Sequence, residues 1–384
     1  MTDGRVLVVT NDFPTRRGGI ETFVLNLCRG LAEPDPSRVV VYTASMDGDA
    51  AYDADLPFQV VRDPTSMLLP TPAVRRRVVE AFGSHGCDRV LFGAAAPLGL
   101  LAPALREVGA ERLVGITHGH EVWWARVPGA RHALRRIGDG CDVLTYVSEW
   151  CRERIAAALS VEAAEAMAVL RPGVDLDRFR PQCGGDGVRR GLDLTDDVLV
   201  VVSTARFVRR KGQDRLVEAW PEILRAHPDA VLLLVGDGPD RERIAGLVAE
   251  AGLEASVLMP GSVPWEEVPA WTDAGDVFAM PCRTRRLGLE AEAFGIVYLE
   301  AAACGLPVIG GPSGGAPEAV ALAGGRVADP GDLARLLIGE LDDAAERRAA
   351  GAAAARAEGY SPPTWKGAAE AVGAMLGLKG PQRS

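Results

Sequence analysis

Short apolar, β-branched segments alternate with longer helical segments along almost the whole chain, and this alternation constrains the fold more than any other feature. Buried runs separated by helices predict parallel strands joined by crossover helices. The predicted strands form two series: Val6–Thr10, Val39–Thr43, Arg89–Phe92, Leu113–Thr117 and Val143–Val147, and then Val198–Ser203, Ala230–Val235, Ser256–Met259, Val277–Met280 and Pro307–Ile309. Two such series predict an α/β protein with two doubly wound domains.

A stretch rich in proline and glycine, residues 171–187, separates the two series. We place the domain boundary in this stretch, because few contacts are expected to cross it. Residues 1–178 are then an N-terminal Rossmann-like domain and residues 179–363 a C-terminal one. We expect a helix within residues 364–384 to pack back onto the N-terminal domain.

Composition excludes several classes of protein. The net charge of −10 and the pI of about 5.2 exclude a broadly basic nucleic-acid binder. The longest uncharged apolar run, Val90–Leu105, is shorter than the roughly 20 residues that span a bilayer and contains glycine and proline. The first residues have no signal-peptide pattern, and the seven cysteines lack CxxC spacing. These features predict a cytoplasmic protein.

Two segments are typical of anion binding. Gly18 and Gly19 stand between the first strand and a helix, where backbone N–H groups attract an anion; a flexible turn is the alternative. Arg206 and Lys211 follow the first strand of the second series, at the end where open α/β sheets bind ligands. Arginine binds a diphosphate bidentately and lysine adds a point charge. A solvated basic turn is the alternative there.

Glu292 and Glu300 flank a glycine turn that opens a predicted helix. The backbone N–H groups at Gly295–Val297 begin that helix, so they are free to bind a phosphate. Glu292 precedes the helix and is placed to face the same ligand. Capping by Glu292 and a surface position for Glu300 are the alternative explanation.

His118 follows a predicted strand, where it would serve as a polar contact or proton donor. A purely structural histidine is the alternative. A zinc site with His120 lacks a third ligand at diagnostic spacing, so we predict no metal site. The segment 311–315 matches the G-x-S-x-G pattern of hydrolase nucleophiles. No histidine follows His227, so a Ser–His hydrolase is excluded.

Together these elements resemble the large retaining glycosyltransferase family with the GT-B fold, whose members use nucleotide-sugar donors. Longer segments resemble an actinobacterial subgroup, the GDP-mannose-dependent phosphatidylinositol mannoside α-mannosyltransferases. These segments are residues 8–14, 92–98, 117–122, 135–138, 210–214, 280–285, 295–301 and 313–318. The resemblance covers essentially the whole chain and implies two Rossmann-like domains that face each other across a cleft.

The same resemblance implies a role for each candidate residue. Arg206 and Lys211 would hold the donor diphosphate, and Glu292 would bind the sugar hydroxyls. The other implied positions are Gly18 and Gly19 at the β-phosphate, Phe294, Gly295, Ile296 and Val297 at the sugar and phosphate, Glu300 at the ribose, Val263 at the base, His118 at the reacting centre, and Asp12 and Trp123 on the acceptor side.

The implied reaction is retaining transfer of a hexosyl group, mannose from GDP-mannose, to a hydroxyl acceptor such as a phosphatidylinositol mannoside glycolipid. No metal or other cofactor is expected. Basic side chains at 75–77 and at 126, 131, 135 and 136 predict peripheral contact with an anionic membrane at its inner face.

Three departures from the subgroup, at Glu21, at Trp123 and Trp124, and at residues 286–290, leave the acceptor open. The main alternative is a glycosyltransferase of natural-product biosynthesis with a small soluble acceptor and another donor. A nucleotide-sugar epimerase of the same fold and a non-catalytic sugar-nucleotide binder are the remaining alternatives.

Overall fold

The computed structural model describes residues 4–16, 18–349 and 360–379. The chain divides into two compact units. Unit 1 comprises residues 1–173 together with 363–384, and unit 2 comprises residues 174–362. The boundary that we placed between residues 178 and 179 falls within the first residues of unit 2.

In its described part, unit 1 contains a seven-stranded sheet with the strand order β3-β2-β1-β4-β5-β6-β7, and all pairs are parallel. The strands are β1 (Val6–Thr10), β2 (Val39–Ala44), β3 (Gln59–Asp63), β4 (Arg89–Phe92), β5 (Arg112–Gly115), β6 (Val143–Tyr146) and β7 (Ala168–Val169). The helices are α1 (Gly19–Ala32), α2 (Asp49–Ala54), α3 (Pro72–Ser84), α4 (Ala95–Leu98), α5 (Ala102–Glu107), α6 (Glu121–Trp124), α7 (Pro128–Gly140), α8 (Glu149–Ala156) and α9 (Val161–Glu165).

Unit 2 repeats this arrangement with a six-stranded parallel sheet in its described part, ordered β10-β9-β8-β11-β12-β13. The strands are β8 (Val200–Thr204), β9 (Val231–Val235), β10 (Val257–Gly261), β11 (Val277–Met280), β12 (Val308–Gly310) and β13 (Arg326–Val327). The helices are α10 (Gly185–Gly191), α11 (Gln213–Ala226), α12 (Arg241–Glu250), α13 (Val268–Asp273), α14 (Ile296–Ala303), α15 (Ala316–Leu322) and α16 (Leu333–Ala349).

The last helix, α17 (Trp365–Met375), belongs to unit 1 and packs on α1. The two helices approach so closely that a side chain at Gly30 would contact Ala369, since its Cβ would lie 2.5 Å from the Ala369 Cβ. Val372 and Leu376 are buried in the same core as Val24 of α1. Residues 380–384 of the segment expected to form this helix lie outside the described residues.

The central strands read as continuous apolar runs because helices cover both faces of each sheet. All residues of β1 and β9 are buried, and valine and leucine predominate in both strands. Each predicted strand is present, and the prediction of two Rossmann-like parallel sheets is confirmed. The strands that were not predicted, β3, β7 and β13, all lie at sheet edges. They are short or partly exposed, so they lack the apolar run of a central strand.

The strand order reverses at one place in each sheet. In unit 1 this place lies between β1 and β4, and in unit 2 it lies between β8 and β11. Open α/β sheets bind ligands beyond the carboxyl ends of the strands at such a switch point. The loops that follow these four strands are therefore the first candidates for a functional site.

Candidate active site

The loop after β8 carries four basic side chains, at residues 206, 209, 210 and 211. Arg206 is exposed, and its side chain has no hydrogen-bond or ion-pair partner among the residues that the structure describes. Its backbone is held in place, because the Arg206 carbonyl accepts a hydrogen bond from Gln213 Nε2 at 3.3 Å. Arg209 lies 3.5 Å from Asp240. The loop therefore presents Arg206 as an exposed positive charge at the unit 2 switch point, while Asp240 compensates Arg209.

Lys211 forms an ion pair with Glu292, and the distance from Lys211 Nζ to Glu292 Oε2 is 2.7 Å. Both side chains are mostly buried. Two residues that are 81 positions apart in sequence are thus brought into direct contact by the folding of unit 2. This pair places a cation next to a carboxylate beside the unit 2 switch point.

Glycine at 212 permits a close approach of two loops. Gly212 has a φ of 86°, and a Cβ there would lie 2.3 Å from the Pro281 carbonyl oxygen. Pro281 follows β11, the other strand at the switch point. The contact is reinforced because the Arg283 N–H donates to the Arg210 carbonyl at 2.8 Å. The basic loop is therefore held against the loop from β11.

An aspartate at the start of α11 anchors the same loops, and our sequence interpretation missed it. Arg283 donates two hydrogen bonds to Asp214, at 2.8 and 2.5 Å, and Arg243 donates one at 2.9 Å. Burial opposes ionisation of Asp214, but these arginines outweigh it and hold the pKa of the carboxyl below its usual range. Only the tertiary structure reveals the role, since the three residues are far apart in sequence.

The amino end of α14 lies next to Glu292 along the chain. Gly295 precedes the helix with a φ of 94°, and a Cβ there would lie 2.6 Å from the Tyr298 ring. Phe294 is buried, whereas Ile296 and Val297 are partly exposed. The first backbone N–H groups of a helix have no partner within it. The segment is therefore suited to an anion, as the sequence predicts.

Glu300 lies inside α14 and is buried. Burial raises the pKa of its carboxyl from the usual 4.5 to about 7, although the nearby Arg178 charge acts in the opposite direction. A buried carboxyl with a raised pKa is typical of functional sites as well as of structural ones. Val263, two positions after β10, is partly exposed in a loop.

In unit 1, Gly18 and Gly19 form the entry to α1, as predicted. Gly18 has an extended backbone, and a Cβ there would lie 2.3 Å from Glu21 Oε2. The Glu21 carboxylate therefore folds back over the first turn of the helix. A side chain at Gly19 would meet nothing within 4 Å, so the space above this residue is open.

His118 follows β5, and its Nε2 lies 2.7 Å from the Gly93 carbonyl oxygen. Gly93 follows β4, so this bond lies at the unit 1 switch point. Burial lowers the pKa of the imidazole to about 4, and the ring is neutral near pH 7. A carbonyl can only accept, so Nε2 carries the proton and Nδ1 is left as an acceptor.

Two aromatic side chains and one carboxylate fix the orientation of this histidine. Phe23 of α1 meets the His118 ring edge to face at 5.2 Å, and Trp365 of α17 supports Phe23 at 5.5 Å. Glu121 Oε2 accepts the N–H groups of His118 and Gly119 at 3.0 and 3.1 Å. Glu121 is fully buried, which raises its pKa. Its role was not predicted, although it lies three positions after the histidine.

Asp12 and Trp123 are the two candidates for the acceptor side. Asp12 follows β1 and is partly buried. Burial is the largest effect and raises the pKa of its carboxyl, and the Glu21 charge raises it further. His120 and Arg16 act in the opposite direction and lower this pKa. Trp123 lies on α6 with 47% of its surface exposed. Asp12 thus lies in an electrostatic cluster with Glu21, near the entry to α1.

The described residues, 4–16, 18–349 and 360–379, bear on metal binding and on membrane insertion. No group of three or more histidine, cysteine, aspartate or glutamate side chains in these ranges has the arrangement of a metal site. The His118 and His120 rings are 6.4 Å apart and stacked. In the same ranges, no helix combines the length and the apolar character that a membrane span requires.

Known proteins match the chain over both units. The family described as Glycosyltransferase Family 4 matches residues 17–178, and the family described as Glycosyl transferases group 1 matches residues 188–357. The GDP-mannose-dependent alpha-(1-6)-phosphatidylinositol monomannoside mannosyltransferase of Mycolicibacterium smegmatis is 44% identical over 94% of each chain. The GDP-mannose-dependent monoacylated alpha-(1-6)-phosphatidylinositol monomannoside mannosyltransferase of Corynebacterium glutamicum is 42% identical over 91% of this chain and 92% of its own.

Solved structures share the fold at low sequence identity. Anabaena HepE in complex with UDP is 20% identical with a TM-score of 0.68, covering 97% of this chain and 95% of its own. Sucrose-phosphate synthase from Thermosynechococcus elongatus is 22% identical with a TM-score of 0.69, covering 97% and 98%. The predicted GT-B fold and the family resemblance are thereby confirmed, and the chain is a glycosyltransferase. It belongs to the GT-B glycosyltransferase family that includes the actinobacterial phosphatidylinositol monomannoside mannosyltransferases.

Proposed function

We propose that this protein transfers a mannosyl group from GDP-mannose to a hydroxyl of a phosphatidylinositol mannoside glycolipid, with retention of anomeric configuration and without a metal ion. The observation that carries the proposal is the Lys211–Glu292 ion pair, at 2.7 Å, beside the unit 2 switch point. A nucleotide-diphospho-sugar offers a binding partner to each residue of this pair. Its phosphates suit the lysine, and its sugar hydroxyls suit the carboxylate.

The donor binds unit 2 in this proposal. Arg206 and Lys211 hold the diphosphate, and the backbone N–H groups at residues 295–297 bind phosphate and sugar. Glu292 accepts hydrogen bonds from the sugar hydroxyls and Glu300 from the ribose, while Val263 contacts the base. Donor binding gives Lys211 a phosphate partner and Glu292 hydroxyl donors, so neither buried side chain is left without a hydrogen-bond partner.

The chemical step breaks the bond from the anomeric carbon to the phosphate oxygen and forms a bond to the acceptor oxygen on the same face of the sugar. The acceptor proton passes to the departing phosphate. Negative charge develops on the diphosphate, and Arg206 and Lys211 stabilise it. These side chains supply the positive charge that a metal ion supplies elsewhere. Full activity in the presence of EDTA tests this part, and a requirement for Mg²⁺ or Mn²⁺ would contradict it.

Unit 1 contributes Gly18, Gly19, His118, Asp12 and Trp123 in this proposal. The unprotonated Nδ1 of His118 accepts a hydrogen bond from a sugar hydroxyl, because its Nε2 proton is already donated to Gly93. The Gly19 N–H meets the β-phosphate. Asp12 accepts hydrogen bonds from the acceptor, and Trp123 packs on it.

Basic side chains on two helices of unit 1 support peripheral contact with an anionic membrane. Arg75 and Arg76 are exposed on α3, and Arg135 and Arg136 are exposed on α7. Arg77 does not contribute, contrary to our expectation, because it forms an ion pair with the buried Asp63 at 2.7 Å. Each basic residue near an anionic leaflet contributes about 1 kcal/mol. Flotation with phosphatidylglycerol vesicles, compared with phosphatidylcholine vesicles, tests this contact.

Nucleotide selectivity is the first experiment. The melting temperature is measured with GDP, UDP and ADP, and with GDP-mannose, UDP-glucose and ADP-glucose. We expect a rise selective for GDP and GDP-mannose. Selectivity for UDP or ADP would overturn the mannosyl assignment and direct the search to soluble acceptors.

Product analysis is the second experiment. The enzyme is incubated with GDP-mannose and phosphatidylinositol monomannoside, and the anomeric configuration of the new linkage is read by NMR from its one-bond C–H coupling. We expect an α linkage, as in the donor. A β linkage would contradict retention, and conversion of donor without an acceptor product would favour an epimerase.

A further inference from the structure

The loop between β12 and α15 wraps around the backbone of Glu292. This loop contains Ser313, the serine of the G-x-S-x-G match that does not belong to a hydrolase. Ser313 is fully buried, and its Oγ accepts the Glu292 N–H at 3.2 Å. The same Oγ lies 3.2 Å from Thr284 Oγ1. The serine hydroxyl therefore joins Glu292 to the segment that follows β11.

The two glycines after Ser313 hold the other side of the Glu292 peptide. The Gly315 N–H donates to the Glu292 carbonyl at 2.8 Å. Gly314 has a φ of 59°, and a Cβ there would lie 2.1 Å from that same carbonyl oxygen. A residue with a side chain at 314 would therefore push Glu292 away. Both backbone polar groups of Glu292 are bonded by one short loop.

Glu292 needs such support because it lies outside regular secondary structure. Residues 291–295 form neither helix nor strand, so no ladder of hydrogen bonds sets the direction of the peptide. The direction of the peptide decides where the side chain points. In the observed orientation, the carboxylate Oε2 lies 2.7 Å from Lys211 Nζ.

We propose that Ser313 is a positioning residue for Glu292, and that its hydroxyl sets the carboxylate at the place where the donor sugar hydroxyls bind. The proposal rests on the function proposed above, because it takes Glu292 to bind the sugar. Ser313 itself touches no substrate. Its effect is therefore confined to the sugar end of the donor, while the diphosphate and nucleoside are held by other residues.

Because the effect is confined to the sugar end of the donor, a test can separate this role from a general structural role, which would affect both ligands alike. Dissociation constants for GDP and for GDP-mannose are measured by calorimetry for the wild type and for Ser313→Ala. We expect GDP binding to stay within about twofold and GDP-mannose binding to weaken about tenfold, since a displaced carboxylate loses a charged hydrogen bond. Unchanged GDP-mannose binding would overturn the proposal. An equal loss for both ligands would also overturn it.

Ser203→Ala is the matched control. Ser203 is a buried serine of β8 in the same unit, and its Oγ has no hydrogen-bond partner among the residues that the structure describes. Loss of this hydroxyl should leave the binding of both ligands as in the wild type. If Ser203→Ala weakens GDP-mannose binding as much as Ser313→Ala does, the effect of Ser313 is not specific and the proposal fails.

A second variant covers the case in which Ser313→Ala does not fold. Thr284→Val removes the exposed partner of the Ser313 hydroxyl and leaves the Glu292 N–H bond in place. We expect a loss of about twofold to threefold for GDP-mannose and none for GDP; an equal effect on both ligands, or no effect on either, contradicts the proposal. A wild type that binds GDP but not GDP-mannose would instead refute the proposed function.

Discussion

The two units share one topology but carry opposite chemistry at their switch points. In each sheet the unit's first strand lies third from one edge, and the strand order reverses between the unit's first and fourth strands. In unit 2 the loop after β8 presents Arg206 and Lys211, with Glu292 as the partner of the lysine. In unit 1 the corresponding loop presents Asp12 and the turn covered by Glu21, near the neutral His118.

This difference shows that the sheet supplies positions and the loops supply chemistry. Arg206 and Lys211 of unit 2 are suited to a diphosphate, whereas Asp12 and the neutral imidazole of unit 1 are suited to hydroxyl groups. Even the glycines that open the helix after the first strand of each unit differ. Gly212 has a left-handed backbone conformation and lies against the Pro281 carbonyl, whereas Gly18 has an extended backbone and lies against the Glu21 side chain.

The largest expected effect is on turnover when the cationic edge loses Lys211. Lys211→Ala should lower kcat by about 10²–10³, because a preorganised donor to the leaving diphosphate is lost. Steady-state kinetics with GDP-mannose measure this effect. Arg209→Ala removes an exposed positive charge of the same loop and is the control, with a change of less than about threefold. Near-wild-type turnover in Lys211→Ala would refute the proposed role of Lys211 in holding the donor diphosphate.

The second effect concerns the buried carboxyl of unit 2. The folded-state pKa of Glu300 is about 7 and its usual value is 4.5. The folded state therefore holds the proton more tightly, and the contribution of this group to stability is complete below pH 4.5 and is lost as the pH rises through 7. The loss amounts to about 3 kcal/mol. Glu300→Gln should remove this pH-dependent loss of stability.

Urea unfolding of the wild type and Glu300→Gln between pH 4.5 and 8 measures that difference. The variant should gain stability relative to the wild type as the pH rises. Glu250→Gln, at the exposed end of α12, serves as the control and should follow the wild type. A constant difference between Glu300→Gln and the wild type across this range would show that Glu300 does not titrate as inferred.

A third effect compares the two helix-opening glycines. Gly212→Ala should destabilise the protein by about 2 kcal/mol or more, because it forces a left-handed alanine against the Pro281 carbonyl. Gly18→Ala should cost less than about 1 kcal/mol, since the Glu21 side chain can move. Urea unfolding of both variants tests the contrast. Equal destabilisation would mean that the two turns are under the same constraint.

The smallest effect concerns His118. His118→Ala should lower kcat/KM about tenfold, because one hydrogen-bond acceptor for the sugar is lost. The imidazole has a pKa of about 4, so the wild-type rate should show no limb from this group between pH 5.5 and 8. The pH profiles of the wild type and the variant are compared. A limb near pH 6.5 that disappears in the variant would show that His118 titrates during catalysis.

Much of the fold could be predicted because central parallel strands must be apolar on both faces. The segments between the predicted strands also predict helices over Gly19–Ala32 and Gln213–Ala226, and these are the bounds of α1 and α11. The edge strands β3 and β13 were missed because each pairs on one side only and is partly exposed. The alanine-rich segment Ala344–Ala357 also predicts a helix; α16 is described to Ala349, and residues 350–357 lie outside the described residues.

The candidate residues could be found from motifs, but their supports could not. Lys211 and Glu292 were each singled out for residue type and place, and the roles assigned to them remain predictions. Nothing local predicts the supporting roles of Asp214 and Glu121, and the G-x-S-x-G match at Ser313 does not predict its contact with Glu292. Each residue acts through partners that are distant in sequence or through backbone atoms.

The sequence by itself determined the two α/β series, the acidic balance of the chain, and the loops in which the charged and glycine residues stand. Periodicity and residue type carry that information, since each depends on neighbours along the chain. Only the tertiary structure decided that Lys211 pairs with Glu292, that His118 is a neutral acceptor, and that Arg77 turns inward to Asp63. Contacts and desolvation depend on groups that folding brings together, and these groups set both geometry and charge state.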